Sequence, residues 1–167
     1  HIAAREGWVE AAGRLLQSGA RHDVRTTDGM TPLHLACMGR RTRMGGRTVW
    51  LARIYGIAVA RLLLDAGADL KAADVRERTP LHLACRCGDP ELARLLLDKG
   101  ADKNTVAMDE EGRLVQTPLL ATALGGMEMP PGRASGHEAT ARLLLARRAK
   151  VNLPPDGVAV RSEEHTS

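Results

Sequence analysis

Two histidines and three cysteines are the residues best suited to chemistry. His34 and Cys37 share the H-x-x-C spacing of His82 and Cys85, and Cys87 follows two positions later. Imidazole and thiolate are zinc ligands, and a closed zinc site gathers four such donors within about 2 Å of one ion. These groups recur along the chain instead of converging, and no paired C-x-x-C knuckles accompany them. A histidine three residues after a threonine can instead bond back to a helix start, and a free cysteine commonly serves as a small core residue. That structural account is preferred, with no metal and no cofactor expected.

Catalysis has less to stand on. Ser18, Ser135, Ser162 and Ser167 are the only serines, and none lies in a G-x-S-x-G elbow. No P-loop is present, and no G-x-G-x-x-G follows a predicted strand. Without a nucleophile, base and orienter set, no residue receives a catalytic role and the chain reads as a non-enzyme. The formal charge of +4 raises the question of nucleic acid. Its arginines are scattered among carboxylates, and Trp8, Trp50 and Tyr55 are the only aromatics available for stacking, so nucleic acid is not expected as a partner. No run approaches the roughly 18 apolar residues of a membrane span, and no signal-peptide pattern opens the chain. With an odd number of cysteines and no disulfide framework, the expectation is a soluble intracellular protein of the cytoplasm or nucleus, with no membrane partner.

The elements that position these residues are repeated. TPLHLAC occupies Thr31 to Cys37 and again Thr79 to Cys85, and TPLLATA occupies Thr117 to Ala123. Each is followed by a second signature: RLLLDAGAD ends at Asp69, RLLLDKGAD at Asp102 and RLLLARRA at Ala149, while RLLQSGA ends at Ala20. Thr79 to Gly100 is 21 residues and Gly67 to Thr79 is 12, a unit of 33. In Thr79-Pro80-Leu81-His82, threonine suits the N-cap, proline the first helical position, and histidine can reach back to the cap. Leu92, Leu95 and Leu96 recur at helical spacing, so the second helix has an apolar face, and Gly100 supplies the left-handed residue that ends it. Polar segments such as Asp102-Lys103-Asn104 are too short for a helix.

These paired TPLH and LLL-x-x-GAD signatures resemble the ankyrin-repeat family from His1 to about Asn152. The resemblance implies an all-α solenoid of stacked helix-turn-helix units with projecting hairpins, four helix pairs with the first incomplete. The ankyrin-repeat domain is assigned to 1–152, with a partial repeat at 1–25 and repeats at about 26–72, 74–104 and 108–152. A linker is assigned to 153–160. The chain opens without Met in mid-pattern, and Arg161 to Ser167 (RSEEHTS) is similar to a translated sequencing-library adapter, so 161–167 is set aside and the reading frame is expected to be cut at both ends.

Irregularities distinguish one repeat protein from another. Thr31 to Gly67 spans 36 residues instead of 21, an insertion near 40–54. Its Gly-containing first half is basic, and Val49, Trp50, Ile54 and Ile57 fit helical spacing. The expectation is a mobile basic loop feeding an outer helix lengthened at its start. A second insertion near 107–113 lengthens a hairpin around Asp109-Glu110-Glu111. A third near 125–136 (GGMEMPPGRASG) is expected to be irregular. Arg148 stands where the helix-ending glycine belongs. A long insertion within one repeat, then a regular TPLHLAC repeat, then another insertion, resembles the ankyrin-repeat and SOCS-box family. That resemblance implies substrate recognition for a cullin-RING ubiquitin ligase, with the elongin pair and a cullin recruited through a SOCS box that is not visible here. An ankyrin scaffold or adaptor with no ligase link stays open. In ankyrin domains partners touch the hairpin tips and the exposed positions of the first helix. Here these are Val75, Arg76, Arg78, Arg86 and Cys87, where three arginines on one face favour an acidic protein partner. Trp50 and Tyr55 form a second candidate anchor.

Overall fold

Thr-Pro fixes where each regular unit begins. In the computed structural model, which describes residues 1–38, 40–44, 47–51, 55–108, 114–129 and 135–151 (40–44, 47–51, 114 and 115 as backbone only), Thr31, Thr79 and Thr117 all cap helices that open on proline. The Thr31 and Thr79 amides donate to Nδ1 of His34 and His82, 3.2 Å in each case. Proline loses nothing at a position whose N–H has no helical acceptor, so cap, proline and histidine agree on one start.

Among the described residues four helix pairs follow: α1 (Ile2–Glu6) with α2 (Val9–Gln17), α3 (Pro32–Cys37) with α4 (Gly56–Asp65), α5 (Pro80–Arg86) with α6 (Pro90–Asp98), and α7 (Pro118–Glu128) with α8 (Ser135–Ala146). The first helices pack side by side in one layer and the second helices in another. The layers meet on small side chains. Ala60, Ala84, Ala93 and Ala121 are fully buried beside Leu33, Leu81, Leu92, Leu96 and Leu144, and no aromatic enters the core among the described residues. Helices of five to twelve residues are marginal alone. Stacking supplies their stability.

The second helices all end alike. Ala20, Ala68, Ala101 and Ala149 each return an N–H 2.9 Å to the carbonyl five residues back. The residue before each alanine is left-handed: Gly19, Gly67 and Gly100 at φ 82, 93 and 98°, and Arg148 at φ 58°. Arginine therefore occupies the glycine geometry of the last repeat, as its sequence position implied.

The hairpins between units are joined to one another through their backbones. Val75 donates to the Asp28 carbonyl at 3.1 Å, and Met108 donates to the Arg76 carbonyl at 2.8 Å. The last hairpin is a short antiparallel pair, β3 (Ala107–Met108) and β4 (Leu114–Gln116), with a bulge between Ala107 and Met108. Asp109-Glu110-Glu111, Ile54, the linker at 153–160 and the segment 161–167 lie outside the described residues.

Two expectations are corrected. The insertion in the second unit is a β-hairpin, not a loop that lengthens the next helix: β1 (Arg40–Met44) pairs antiparallel with β2 (Arg47–Leu51), and α4 begins only at Gly56. Thr48, Val49 and Trp50 are good strand formers, and the sequence between the strands is Gly45-Gly46, a dipeptide suited to tight hairpins. The spacing of Val49, Trp50 and Ile57 matched a helix only because a run this short fits either period. The insertion in the last unit is not wholly irregular either. Helix α7 continues through Gly125 and Gly126 to Glu128, and α8 starts at Ser135.

Candidate protein interface

The two bridging histidines define what the stack fixes and what it leaves exposed. Each accepts from its own cap at Nδ1, so Nε2 carries the proton and reaches the next hairpin. His34 meets the Arg78 carbonyl at 2.9 Å and His82 meets the Gln116 carbonyl at 3.0 Å. Burial lowers both imidazole pKa values, that of His82 to about 4. A neutral ring is what the geometry requires, because protonated Nδ1 could no longer accept from the cap. Both nitrogens of each ring are thus used within the fold. Burial also pushes the Cys85 thiol up to about 12 and the Cys37 thiol well above its ordinary value, which keeps both protonated. Among the described residues no cluster of three or more His, Cys, Asp or Glu could hold a metal ion.

The hairpin before α5 carries Val75, Arg76 and Arg78, which the fold treats differently. Val75 is 62% exposed at the tip. Arg76 is half-buried, its amide held 2.9 Å from Asp74 Oδ1 and its carbonyl taken by Met108. Arg78 is not the exposed arginine its position suggested. Its Nη2 lies 2.7 Å from Oδ2 of Asp74, a carboxylate with no exposed side-chain surface, while Oδ1 receives the Arg78 amide at 2.9 Å. A buried carboxylate needs this partner, so Arg78 closes the hairpin.

Arg86 ends α5 and reaches forward to Glu128 on α7, Nη2 to Oε1 2.5 Å, with both side chains partly exposed. Cys87, expected on the open face, is buried instead. Tyr55 is 60% exposed just before α4 and lies against the α1–α2 turn, where a Cβ on Gly7 would come 3.1 Å from its own. Trp50 pairs with Arg41 across the inserted hairpin, and its strand β2 lies beside α7. Tyr55 and the strand that carries Trp50 thus lie beside different helices.

Sequence reasoning missed an apolar stripe on α7: Leu120, Leu124 and Met127 are 39, 36 and 74% exposed at spacings of four and three. The signal was available, since Leu120 stands where the earlier repeats carry the bridging histidine and Leu124 where the preceding repeat carries Arg86. It also missed Glu128 as the partner of Arg86. No described helix is long and apolar enough to cross a membrane.

Comparison with known proteins places this geometry in context. The family described as Ankyrin repeats (3 copies) matches residues 1–107. The chain is 42% identical over 93 residues to Ankyrin repeat and SOCS box protein 16 of Mus musculus, covering 56% of this chain and 19% of that protein. It is 44% identical over 122 residues to Ankyrin repeat and SOCS box protein 10 of Homo sapiens, covering 53% of this chain and 26% of that protein. It is also 41% identical over 68 residues to Protein fem-1 homolog A of Danio rerio, covering 41% of this chain and 11% of the relative. The chain thus spans about a quarter or less of the length of these curated relatives.

Proposed function

The chain belongs to the ankyrin-repeat family, a family of protein-interaction modules, and on that premise we propose that it is the target-gripping part of a cullin-RING ubiquitin ligase recognition subunit. The observation behind this reading is the similarity, over more than half of the chain, to relatives whose names join an ankyrin repeat to a SOCS box. The partner is a protein with an acidic surface. Val75 and Arg76 at the hairpin tip and Arg86 on α5 form one contact patch, and Trp50 on the inserted hairpin and Tyr55 beside α4 form two others. Arg78 is left to the fold.

Affinity purification of the protein made from the full reading frame to which this chain belongs tests the proposal. The elongin pair is expected to co-purify, and removal of the SOCS box is expected to abolish that association while target capture persists. Failure of the elongins to co-purify sinks the ligase reading and leaves an ankyrin scaffold or adaptor. Arg76→Glu with Arg86→Glu is expected to weaken target capture without lowering helix content, and unchanged capture removes these two arginines from the interface.

A further inference from the structure

The inserted hairpin holds a concentration of charge with no counterpart elsewhere in the chain. No Asp or Glu occurs between Asp28 and Asp65, whereas Arg40, Arg41, Arg43, Arg47, Arg53 and Arg61 all fall there. Three of the six stand on one five-residue strand, β1. Among the described residues the sheet has two strands, and β2 is the one beside α7, leaving β1 as the outer strand.

Register determines which backbone groups the outer strand offers. Met44 opposes Arg47 across a two-residue connection, so these two exchange both hydrogen bonds. Antiparallel pairs alternate between exchanging and non-exchanging residues, so Thr42–Val49 and Arg40–Leu51 exchange as well. Arg41 and Arg43, opposite Trp50 and Thr48, therefore turn their own N–H and C=O away from β2. An edge of this kind is a template for another strand. Arginines on it repel a second copy of the same strand and attract a strand of opposite charge, so they guard against self-pairing and select a partner together.

We propose that β1 is a strand-addition site at which an extended, acidic segment of a partner protein joins the hairpin as a third strand, bonded to Arg41 and Arg43 through the backbone. The proposal rests on the protein-binding reading and not on the ligase link, so its test uses this chain alone. The probe is a blocked peptide of about eight alternating Glu and Val residues, a common strand length, followed by fluorescence anisotropy and amide NMR shifts. Saturable binding is expected, with shifts at Arg41 and Arg43. Arg43→Thr removes one charge and keeps the outward N–H, and is expected to weaken binding about twofold. Arg43→Pro removes the same charge and that N–H without touching a bond to β2, and is expected to weaken it about tenfold. Retained cross-strand Hα contacts between Arg41 and Trp50 establish that the hairpin survives in each variant. The same peptide N-methylated at alternate residues, titrated into the unaltered chain, is expected to lose about tenfold and needs no folded variant. Equal binding by the Thr and Pro variants, equal binding by the N-methylated peptide, or tighter binding of a single-stranded oligonucleotide of the same charge each overturns strand addition. Any of these outcomes leaves elongin association where its own test puts it.

Discussion

The third and fourth repeats occupy neighbouring places in one stack and are seated by different means. Thr79 caps α5, and His82 carries that cap across to the Gln116 carbonyl of the next hairpin. Thr117 caps α7 in the same way, bonding the Leu120 amide at 3.2 Å, but Leu120 has no ring to send forward and is partly exposed. The fourth repeat is instead fixed from behind by close backbone approach. A Cβ on Gly125 would overlap the Arg86 carbonyl, and one on Gly136 would overlap the Gly88 carbonyl. His137 fills the space between and bonds the Arg86 carbonyl at 3.0 Å. A regular repeat thus passes its order to the next one through a polar bridge. The irregular one receives order and has no such bridge to send on.

The largest effects should come from the buried leucines at matched positions. Leu96 and Leu144 are both fully buried. Leu96→Ala opens a cavity with repeats on both sides and should cost roughly 2 to 5 kcal/mol of global stability in chemical denaturation. Leu144→Ala removes the same atoms from a repeat with one described neighbour, so its loss should be local. Hydrogen exchange should collapse at Leu143–Leu145 while Leu95–Leu97 stays protected. Equal loss of protection in both segments for the Leu144 variant would break the comparison, because the stack would then unfold as one unit.

Acid should act on the bridged repeats. His82 titrates near 4 in the folded protein and near 6.5 when unfolded, so between these values only the unfolded chain takes up the proton. Its contribution is complete above about pH 6.5 and is lost as pH falls toward 4, on the order of 3 kcal/mol in all. His34 is lowered for the same reason and adds in the same direction, whereas burial raises the Asp89 carboxyl and opposes the trend. Urea denaturation from pH 7 to 4 should show the decline, and a His34→Gln, His82→Gln double variant should be less stable at pH 7 but flatter with pH. An equally steep profile in that variant would assign the acid sensitivity elsewhere.

Glycine makes a sharper test of the fourth repeat. Gly125→Ala gains helix propensity but meets the Arg86 carbonyl, and the overlap should win by about 1 to 3 kcal/mol. Gly126→Ala meets His137 Cβ only at 3.3 Å and should come out near neutral, since about 1 kcal/mol of propensity offsets a small shift. Melting both variants tests whether Gly125 is required by packing. Two similar values would mean that it is not.

These positions also mark where the sequence was legible. The repeat period, the Thr-His caps, the second-helix glycines and the left-handed Arg148 depend on residues a few positions apart, and each is written in local spacing. The small-residue core followed from a composition with almost no aromatics. Features that depend on distance along the chain stayed hidden. Arg78 looks like any exposed arginine until the hairpin folds Asp74 against it, and Gly125 looks like a helix breaker until Arg86, far away in sequence, comes beside it. The inserted hairpin lies between these cases: Gly45-Gly46 announced it, but a competing helical spacing obscured the signal. For the candidate interface, the residue types were legible. Which arginines the fold had already engaged was not, because that depends on partners met only through folding.

A small expected effect sharpens the comparison most, because it can be exchanged between the two repeats. Arg148 and Gly100 close the same turn, at φ 58° and 98°, with the following alanine bonded back at 2.9 Å in both. An L-residue in this region carries strain of about 1 kcal/mol that glycine avoids. Glycine also frees the unfolded chain, so Arg148→Gly should gain only about 0.5 kcal/mol net. With α8 expected to open locally, the gain should appear as slower exchange at Leu143–Leu145 with little change in the global midpoint. Gly100→Arg places the same strain where repeats pack on both sides, and there a loss of about 1 kcal/mol should appear in the global midpoint. The backbone geometry is shared, so any difference in how the two changes are felt reports the neighbours and not the turn. If Arg148→Gly moves the global midpoint as much as Gly100→Arg does, the fourth repeat unfolds with the rest, and the contrast between a bridged and an unbridged repeat has no energetic content.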